Sequence, residues 1–145
     1  MLVRFKKINP NASIPTYGSS YAAGCDLSAC IDQAIFIPPH TTIKVPTGLA
    51  IELPENTVGL IYARSGMATK RHLAPANKVG VIDADYRGEI IVALHNHSEE
   101  AQTIEVGERI AQLVVAPFYH VEFEEVDELS ETVRGEGGFG STGTK

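Results

Sequence analysis

The chain has 145 residues, of which 43% are hydrophobic and 21% charged, and its formal net charge is −6 at pH 7. That length suits one domain with a core large enough to fold without disulfides or a structural metal. The negative charge argues against nucleic acid or an anionic membrane surface as the main partner, because both attract clustered positive charge. An anionic small molecule is not excluded, since it needs only a few local hydrogen-bond donors.

Short runs of β-type residues alternate with Pro and Gly about every 8–12 residues, which predicts an all-β sandwich or barrel. The predicted strands cover residues 2–8, 24–31, 34–37, 41–45, 49–53, 58–62, 89–95, 102–106, 110–118 and 121–126. One short helix is expected over residues 66–73, directly after Ser65. We predict a folded domain over residues 1–129.

The last segment, residues 130–145, is rich in glycine and poor in apolar side chains. Such a segment buries too little surface to offset its ordering entropy. It is either a dispensable tail or a flexible arm that becomes ordered on a ligand. Arg134 and Phe139 favour the arm, because a cation and an aromatic ring suit the phosphate and the base of a nucleotide.

The two cysteines, Cys25 and Cys30, are spaced neither as a zinc site nor as a disulfide framework, so we expect buried free thiols. No signal-peptide pattern and no apolar run of membrane-spanning length is visible. We therefore expect a cytoplasmic protein. The histidines are scattered along the chain and are expected to face solvent, and they are His40, His72, His95, His97 and His120.

Residues 63–68 join a predicted strand to the predicted helix. The Arg64 guanidinium, the Ser65 hydroxyl and the backbone at Gly66 could converge there on a phosphate. The alternative is an Arg in a surface ion pair and a Ser that caps the helix.

The stretch 77–89 contains Asp83-Ala84-Asp85 between two β-type runs, which is typical of a hairpin turn. The two acids could bind a metal or activate water, or they could serve only the turn. In the second case Tyr86 is an ordinary cross-strand aromatic.

Two polar side chains lie inside otherwise apolar strands. Asp26 needs a partner if it is half-buried, and that partner could be an Arg, a backbone amide or a hydrated metal. Gln112 shares a strand face with Ile110 if the alternation is regular. A Gln in such a position is often a core amide whose hydrogen bonds are satisfied within the protein.

Together, five stretches between Ala23 and Gly143 are similar to the five ordered motifs of the trimeric deoxyuridine triphosphatase family. The patterns GVIDxDYRG at 80–88 and RGxGGFGSTG at 134–143 are intact. The resemblance implies a jelly-roll subunit and a homotrimer with three active sites, each drawing on all three chains. It also implies hydrolysis of dUTP to dUMP and diphosphate with Mg²⁺, which keeps uracil out of DNA and supplies dUMP for thymidylate synthesis.

The same resemblance implies roles for single residues. Asp83 would activate the water that attacks the α-phosphate and contact the sugar, and Tyr86 would pack under the deoxyribose. Asn77 would read the uracil edge, helped by the backbone of Gly80, Val81 and Ile82. Phosphates would be held by Arg64, Ser65, Gly66, Gln112 and, from the arm, Arg134, Gly140, Ser141 and Thr142. Phe139 would stack on uracil, and Asp26 would act through water on Mg²⁺ held mainly by the triphosphate.

Two other functions compete with this interpretation. A deoxycytidine triphosphate deaminase shares the fold, but its chemistry needs an acid or base at the C4 edge of the base, and its tail lacks the Phe-Gly-Ser-Thr pattern. A regulatory protein that binds dUTP without hydrolysing it would retain the pocket. Intact Asp83, Tyr86 and arm favour the hydrolase.

Overall fold

The computed structural model describes residues 1–138. Within them the chain forms twelve strands and one helix, which confirms the predicted all-β class. In chain order these are β1 Arg4–Lys7, β2 Thr16–Tyr17, β3 Cys25–Ser28, β4 Ile35–Ile37, β5 Thr42–Pro46, β6 Leu49–Glu52, β7 Thr57–Tyr62, α1 Ser65–Arg71, β8 Leu73–Pro75, β9 Gly80–Ile82, β10 Ile91–Asn96, β11 Gln102–Ile104 and β12 Arg109–Pro117.

The strands form one five-stranded sheet, in the order β2-β3-β12-β7-β9, and three smaller sheets, β5-β10-β8, β1-β6 and β11-β4. Every strand pair is antiparallel. In the large sheet, Gln112 of β12 lies opposite Asp26 on one side and Tyr62 on the other. β9 is an edge strand, so one row of its backbone N–H and C=O groups has no strand partner.

All four sheets contribute to one apolar core, as expected for a jelly-roll-like arrangement of packed sheets. β7 alternates buried and half-buried residues along its whole length, as a strand with one face in the core must. Burial of each large aliphatic side chain contributes about 1.5–3 kcal/mol. The fully buried members include Leu27, Ile37, Leu73, Leu94 and Ile104.

The single helix is shorter than predicted. It spans Ser65–Arg71 and ends at His72, whose left-handed conformation (φ 54°) directs its N–H to Met67 O. Leu73 then begins β8, so the predicted end at residue 73 is wrong by two residues. Ser65 is not the N-cap either, because Arg64 occupies that position and makes no side-chain cap bond.

The predicted strand over residues 121–126 is wrong. The last strand ends at Pro117, and residues 118–138 contain neither strand nor helix. Val121 and Phe123 are 55% and 96% exposed. Their alternating pattern is real, but a β-strand needs a hydrogen-bonding partner, and no strand within residues 1–138 pairs with the segment.

Both cysteines are free, as expected, but only Cys25 is buried, and Cys30 is half-buried. Desolvation raises the pKa of each thiol, and the charge of Asp26 adds to the effect at Cys25. Across residues 1–138, no helical segment combines the length and the hydrophobicity of a membrane span.

Candidate active site

The first pocket is formed around β9 and has a volume of about 300 Å³. We call it the β9 pocket. It brings together the residues of this stretch that the family resemblance selected, which are Asn77, Gly80, Val81, Ile82, Asp83 and Tyr86, whereas Asp85 does not line it. Ile61, Pro75, Glu89 and β10 complete its wall.

Local backbone geometry shapes this pocket. Lys78 adopts a left-handed conformation (φ 65°), and its N–H donates to Pro75 O at 2.9 Å, so the chain turns sharply between β8 and β9. Gly80 lies against the side chain of Ile61, and an added Cβ there would come within 3.2 Å of Ile61 Cβ. Gly80, Val81 and Ile82 all line the pocket, and the edge position of β9 leaves one row of their backbone donors and acceptors without a strand partner.

A turn follows β9, in which Tyr86 N donates to Asp83 O at 3.1 Å. The predicted turn is confirmed, but the predicted hairpin is wrong, because the strands on either side of the turn do not pair with each other. β9 pairs with β7, whereas β10 pairs with β5 and β8 in another sheet. The turn thus links two sheets and projects Asp83 and Tyr86 at their junction. Within residues 1–138, the Asp83 carboxylate makes no hydrogen bond or ion pair, so it is open to a ligand.

Tyr86 is held by its own loop. Its hydroxyl donates to Glu89 O at 3.0 Å, and its ring lies over Gly88, where an added Cβ would be only 2.3 Å from Oη. The ring is 43% exposed at the pocket wall. A flat, anchored and half-covered aromatic ring can pack against a ligand at little entropic cost.

The second pocket lies beside the start of α1 and has a volume of about 310 Å³. We call it the α1 pocket. It gathers the predicted phosphate-binding residues Arg64, Ser65, Gly66 and Gln112 with Asp26. These residues come from three distant parts of the sequence, and the pairing of β12 with both β3 and β7 brings them together.

Charge in the α1 pocket is organised around Asp26. Arg64 Nε donates to Asp26 Oδ1 at 2.8 Å, and Arg109 Nη1 donates to Oδ2 at 3.0 Å. Of the partners considered for Asp26, which were an Arg, a backbone amide and a hydrated metal, the structure shows arginine. Two guanidinium groups and one carboxylate leave a net positive charge, which suits a phosphate chain. Arg64 does form an ion pair, but inside the pocket, with its side chain only 28% exposed.

Gln112 reaches this pocket because β12 is irregular at its start. The register shifts between Arg109 and Ala111, so Ile110 and Ala111 are both fully buried and the predicted regular alternation fails. Gln112 then lies beside Asp26, and its Nε2 donates to Ala63 O at 2.9 Å. An added Cβ at Gly24 would be 2.6 Å from Gln112 Oε1, so this close approach requires glycine.

Sequence reasoning missed three residues of the two pockets. Arg109 lies three positions before Gln112, but its role depends on the β3–β12 pairing. Glu89 lines the β9 pocket and accepts the N–H of Gly48 at 2.8 Å. Gly24 was recognised only as part of a small-residue strand. Two signals in the sequence could have revealed two of them. Arg109 and Gly24 each lie close to a polar residue, Gln112 or Asp26, within an otherwise apolar strand.

The remaining predicted residues lie elsewhere. Arg134 is exposed, its Nε donates to Gly137 O at 2.7 Å, and it lines neither pocket. Phe139, Gly140, Ser141 and Thr142 lie outside the described residues. Four histidines are exposed, as expected. The exception is the half-buried His95, whose Nδ1 lies 2.9 Å from Thr42 Oγ1 and whose ring packs edge-on against His97 at 4.4 Å.

Within the described part of the chain, no group of three or more His, Cys, Asp or Glu side chains is arranged to hold a metal ion. The α1 pocket offers one carboxylate, and both of its oxygens already accept from arginine. That donor set does not fit an ion caged by protein. It fits a hard cation that arrives with phosphate oxygens and keeps its own water ligands.

A jelly-roll-like β fold with an open strand edge, an acid that has no partner within residues 1–138 and a separate cationic pocket has the features that a nucleotide-binding protein requires. The profile of the dUTPase family matches residues 10–143. The chain belongs to the dUTPase family.

Curated relatives carry the name deoxyuridine 5′-triphosphate nucleotidohydrolase. The protein of Desulfitobacterium hafniense is 54% identical over 90% of this chain and 87% of its own length. That of a Hydrogenobaculum species is 48% identical over the full length of both. Among solved structures, the dUTPase of Staphylococcus bacteriophage 80alpha with dUPNHPP matches with a TM-score of 0.90, at 30% identity, over 98% of each chain.

A mutant dUTPase from phage phi11 of S. aureus matches with a TM-score of 0.79, at 25% identity, over 88% of this chain and 98% of its own. That structure reveals the coordination of a structural Mg(II) ion.

Proposed function

We propose that the protein hydrolyses dUTP to dUMP and diphosphate, which keeps uracil out of DNA and supplies dUMP for thymidylate synthesis. The observation that carries the proposal is the pairing, in a dUTPase-family chain, of an acid-bearing β9 pocket with a cationic α1 pocket. The first suits a nucleoside and its reacting water, and the second suits a phosphate chain.

In the β9 pocket, Asn77 and the open edge of Gly80–Ile82 read the uracil by hydrogen bonds. Backbone groups in an edge strand have fixed directions, so they discriminate bases by the pattern of donors and acceptors. Tyr86 packs against the deoxyribose. Because its ring is held by Glu89 O and Gly88, it cannot yield to an additional 2′-hydroxyl.

Asp83 is the general base in this mechanism. Its carboxylate takes a proton from a water molecule while the water oxygen attacks the α-phosphate. The bond from that phosphorus to the bridging oxygen breaks, and diphosphate leaves. Such reactions depend on positioning and on charge neutralisation, so one well-placed carboxylate and a cationic cradle are sufficient. The Asp83 carboxylate makes no hydrogen bond or ion pair within residues 1–138, which supports this role.

In the α1 pocket, Arg64, Ser65, Gly66 and Gln112 hold the phosphates. Asp26 would act through water on Mg²⁺, which the triphosphate itself would mainly hold. Bound Mg²⁺ would neutralise charge on the phosphate oxygens and favour one orientation of the chain. The pairing of Asp26 with Arg64 and Arg109 supports an outer position for this carboxylate, because its oxygens already have partners.

The active unit is a homotrimer. No residue lines both pockets, so one chain does not bring a nucleoside subsite and a phosphate subsite into a single cavity. We propose that the β9 pocket of one subunit faces the α1 pocket of a second. The arm of residues 130–145 closes the site, with Arg134 at the γ-phosphate and Phe139 on the uracil. Further phosphate contacts come from Gly140, Ser141 and Thr142.

We also propose that the protein works in the cytoplasm, where free nucleotides are made. The two free thiols support a reducing compartment.

A substrate panel tests the function. Purified protein with Mg²⁺ is offered dUTP, dCTP, dTTP and UTP, and diphosphate and ammonia are measured. We expect diphosphate from dUTP and little from the other three. Ammonia from dCTP would instead identify a deaminase. Binding of dUTP without release of diphosphate would identify the regulatory alternative.

A further inference from the structure

Charged side chains tie both ends of α1 to the start of β12. At the N-terminal end, Arg64 pairs with Asp26, which pairs with Arg109 at the first position of β12. At the C-terminal end, Arg71 pairs with Glu108, the residue directly before Arg109. The helix is therefore fixed at two points to one short segment, and that segment carries Arg109 and leads to Gln112.

Arg71 makes more than a surface ion pair. Its guanidinium donates to the Glu108 carboxylate, to Thr103 O, to Gln102 Oε1 at 3.3 Å and to Met67 Sδ at 3.5 Å. Its side chain is only 29% exposed. Planar guanidinium groups suit such multiple, fixed contacts, and a lysine cannot reproduce them.

Glu108 transmits this contact to the strand. Its second carboxylate oxygen accepts the N–H of Glu105 at 2.9 Å, and Glu108 N donates to Glu105 O at 3.1 Å. Both bonds close the turn before β12. The same turn is joined to the end of β3, since Ala29 N donates to Glu108 O at 2.8 Å. Arg71 thus holds the turn from which Arg109 extends to Asp26.

The helix needs these ties. It has seven residues and only one buried side chain, Met67. An isolated helix of that length is unstable in water, so its position is determined by tertiary contacts. A small shift of α1 would move Arg64 and Ser65 relative to Gln112.

We propose that Arg71 is a positioning residue for the α1 pocket, acting through Glu108 to keep Arg64 and Ser65 aligned with Arg109 and Gln112. The inference rests on the proposed function, in which this pocket binds the triphosphate. Arg71 lines neither pocket, so it acts on a bound triphosphate only through the residues that it holds in place. Its loss therefore weakens the triphosphate subsite and leaves the nucleoside subsite around β9 intact.

The first test compares Arg71→Met with Lys70→Met, an exposed basic neighbour in the same helical turn. We expect Arg71→Met to raise KM for dUTP about tenfold, because small misplacements of binding groups are costly. Inhibition by deoxyuridine, which occupies only the nucleoside subsite, should stay within about twofold, since no contact to β9 is altered. Arg71→Lys should give an intermediate KM.

A double-mutant cycle tests the route through Glu108. Glu108→Gln keeps the shape but removes the charge, and we expect it to raise KM similarly. The double variant should be little worse than either single variant, because both remove the same link. Additive effects would show that Arg71 does not act through Glu108. Thermal unfolding of each variant identifies any that fails to fold, and Arg71→Lys and Glu108→Gln then carry the test.

Besides additivity in that cycle, three results would overturn the inference: an unchanged KM for Arg71→Met, an equal effect of Lys70→Met, or a parallel loss of deoxyuridine inhibition. Binding of inorganic triphosphate with Mg²⁺, measured by calorimetry, separates this inference from the proposed function. If wild type binds triphosphate and Arg71→Met binds it more weakly, Arg71 positions the pocket whatever the substrate. If wild type releases no diphosphate from dUTP, the proposed function fails.

Discussion

Gly88 lies directly against the phenol ring of Tyr86. An added Cβ at position 88 would be 2.3 Å from Tyr86 Oη and 2.5 Å from Cζ. The ring can therefore occupy the wall of the β9 pocket only because residue 88 has no side chain. Under the role proposed for Tyr86, the absence of a side chain at position 88 is required for selection of the sugar.

Replacing Gly88 with alanine should displace the Tyr86 ring. We expect the ratio of kcat/KM for dUTP to that for UTP to fall by about tenfold or more, because a displaced ring no longer excludes the 2′-hydroxyl. Gly18→Ala is the control, since an added Cβ there meets no atom within 4 Å and Gly18 lines the α1 pocket, where dUTP and UTP would present the same triphosphate. An unchanged ratio in a folded Gly88→Ala protein would remove Tyr86 from sugar selection.

Replacing Gly24 with alanine should push Gln112 out of the α1 pocket. The new Cβ would lie 2.6 Å from Gln112 Oε1, so the bond from Gln112 Nε2 to Ala63 O is lost or displaced. We expect KM for dUTP to rise severalfold, about as much as for Gln112→Ala. The two changes combined should do little further damage, because they affect one group. Steady-state kinetics of the three variants check this, and full additivity would contradict it.

Asp83→Asn should reduce kcat by about a thousandfold or more while nucleotide binding persists, because the amide keeps the shape but cannot accept the proton of water. Asp85→Asn, two residues along the same turn, is the matched control and should remain active. Calorimetry with dUMP and single-turnover assays with dUTP separate binding from chemistry. Normal turnover by Asp83→Asn would exclude Asp83 as the base.

Truncation after Ser130 should remove most of the turnover and leave the fold intact. No residue beyond Leu113 belongs to the buried apolar core of residues 1–138, so thermal unfolding should be nearly unchanged. Turnover falls because water is no longer excluded and Arg134 and Phe139 are gone. A truncated protein with full activity would show that the arm does not close the site.

Alkaline pH should destabilise the protein partly through Cys25. Desolvation raises the pKa of this thiol above its ordinary value of 9.0. The folded chain keeps the proton where the unfolded chain loses it, so this contribution is complete below 9.0 and is lost as the pH rises through the folded pKa. Urea unfolding at about pH 7.5 to 10.5 should therefore show a steeper loss of stability for wild type than for Cys25→Ala. Parallel curves would rule out Cys25 as the source.

The resemblance to the dUTPase family selected the residues that line the β9 pocket, but it did not give the architecture of the pocket. Local patterns alone predicted the turn at Asp83 and left open whether Asp83 and Tyr86 serve a ligand site. The hairpin, however, was wrong, because the partners of β9 and β10 depend on packing between distant strands. The prediction of a strand over residues 121–126 was wrong for a related reason. Alternation of apolar and polar residues does not show whether a neighbouring strand is available for hydrogen bonding.

The α1 pocket shows the opposite case. Asp26 and Arg109 are 83 positions apart, and only the β3–β12 pairing makes them neighbours. The register shift before Ala111 then decides which face Gln112 occupies, and periodicity cannot reveal a single irregularity of that kind. The family motifs could select residues of the α1 pocket, but they could not predict which of these residues contact one another.

The separation of the β9 and α1 pockets has a consequence for the living cell. Under the proposed trimer, a newly synthesised chain has no activity until it meets its partners, so catalytic capacity falls more steeply than linearly as expression decreases. A defective allele would also affect mixed trimers. In a given subunit, loss of Asp83 would impair the site to which that subunit contributes its β9 pocket, and loss of Arg64 would impair the different site to which it contributes its α1 pocket. When both defects lie in the same chain, an intact neighbour pair can still form one complete site.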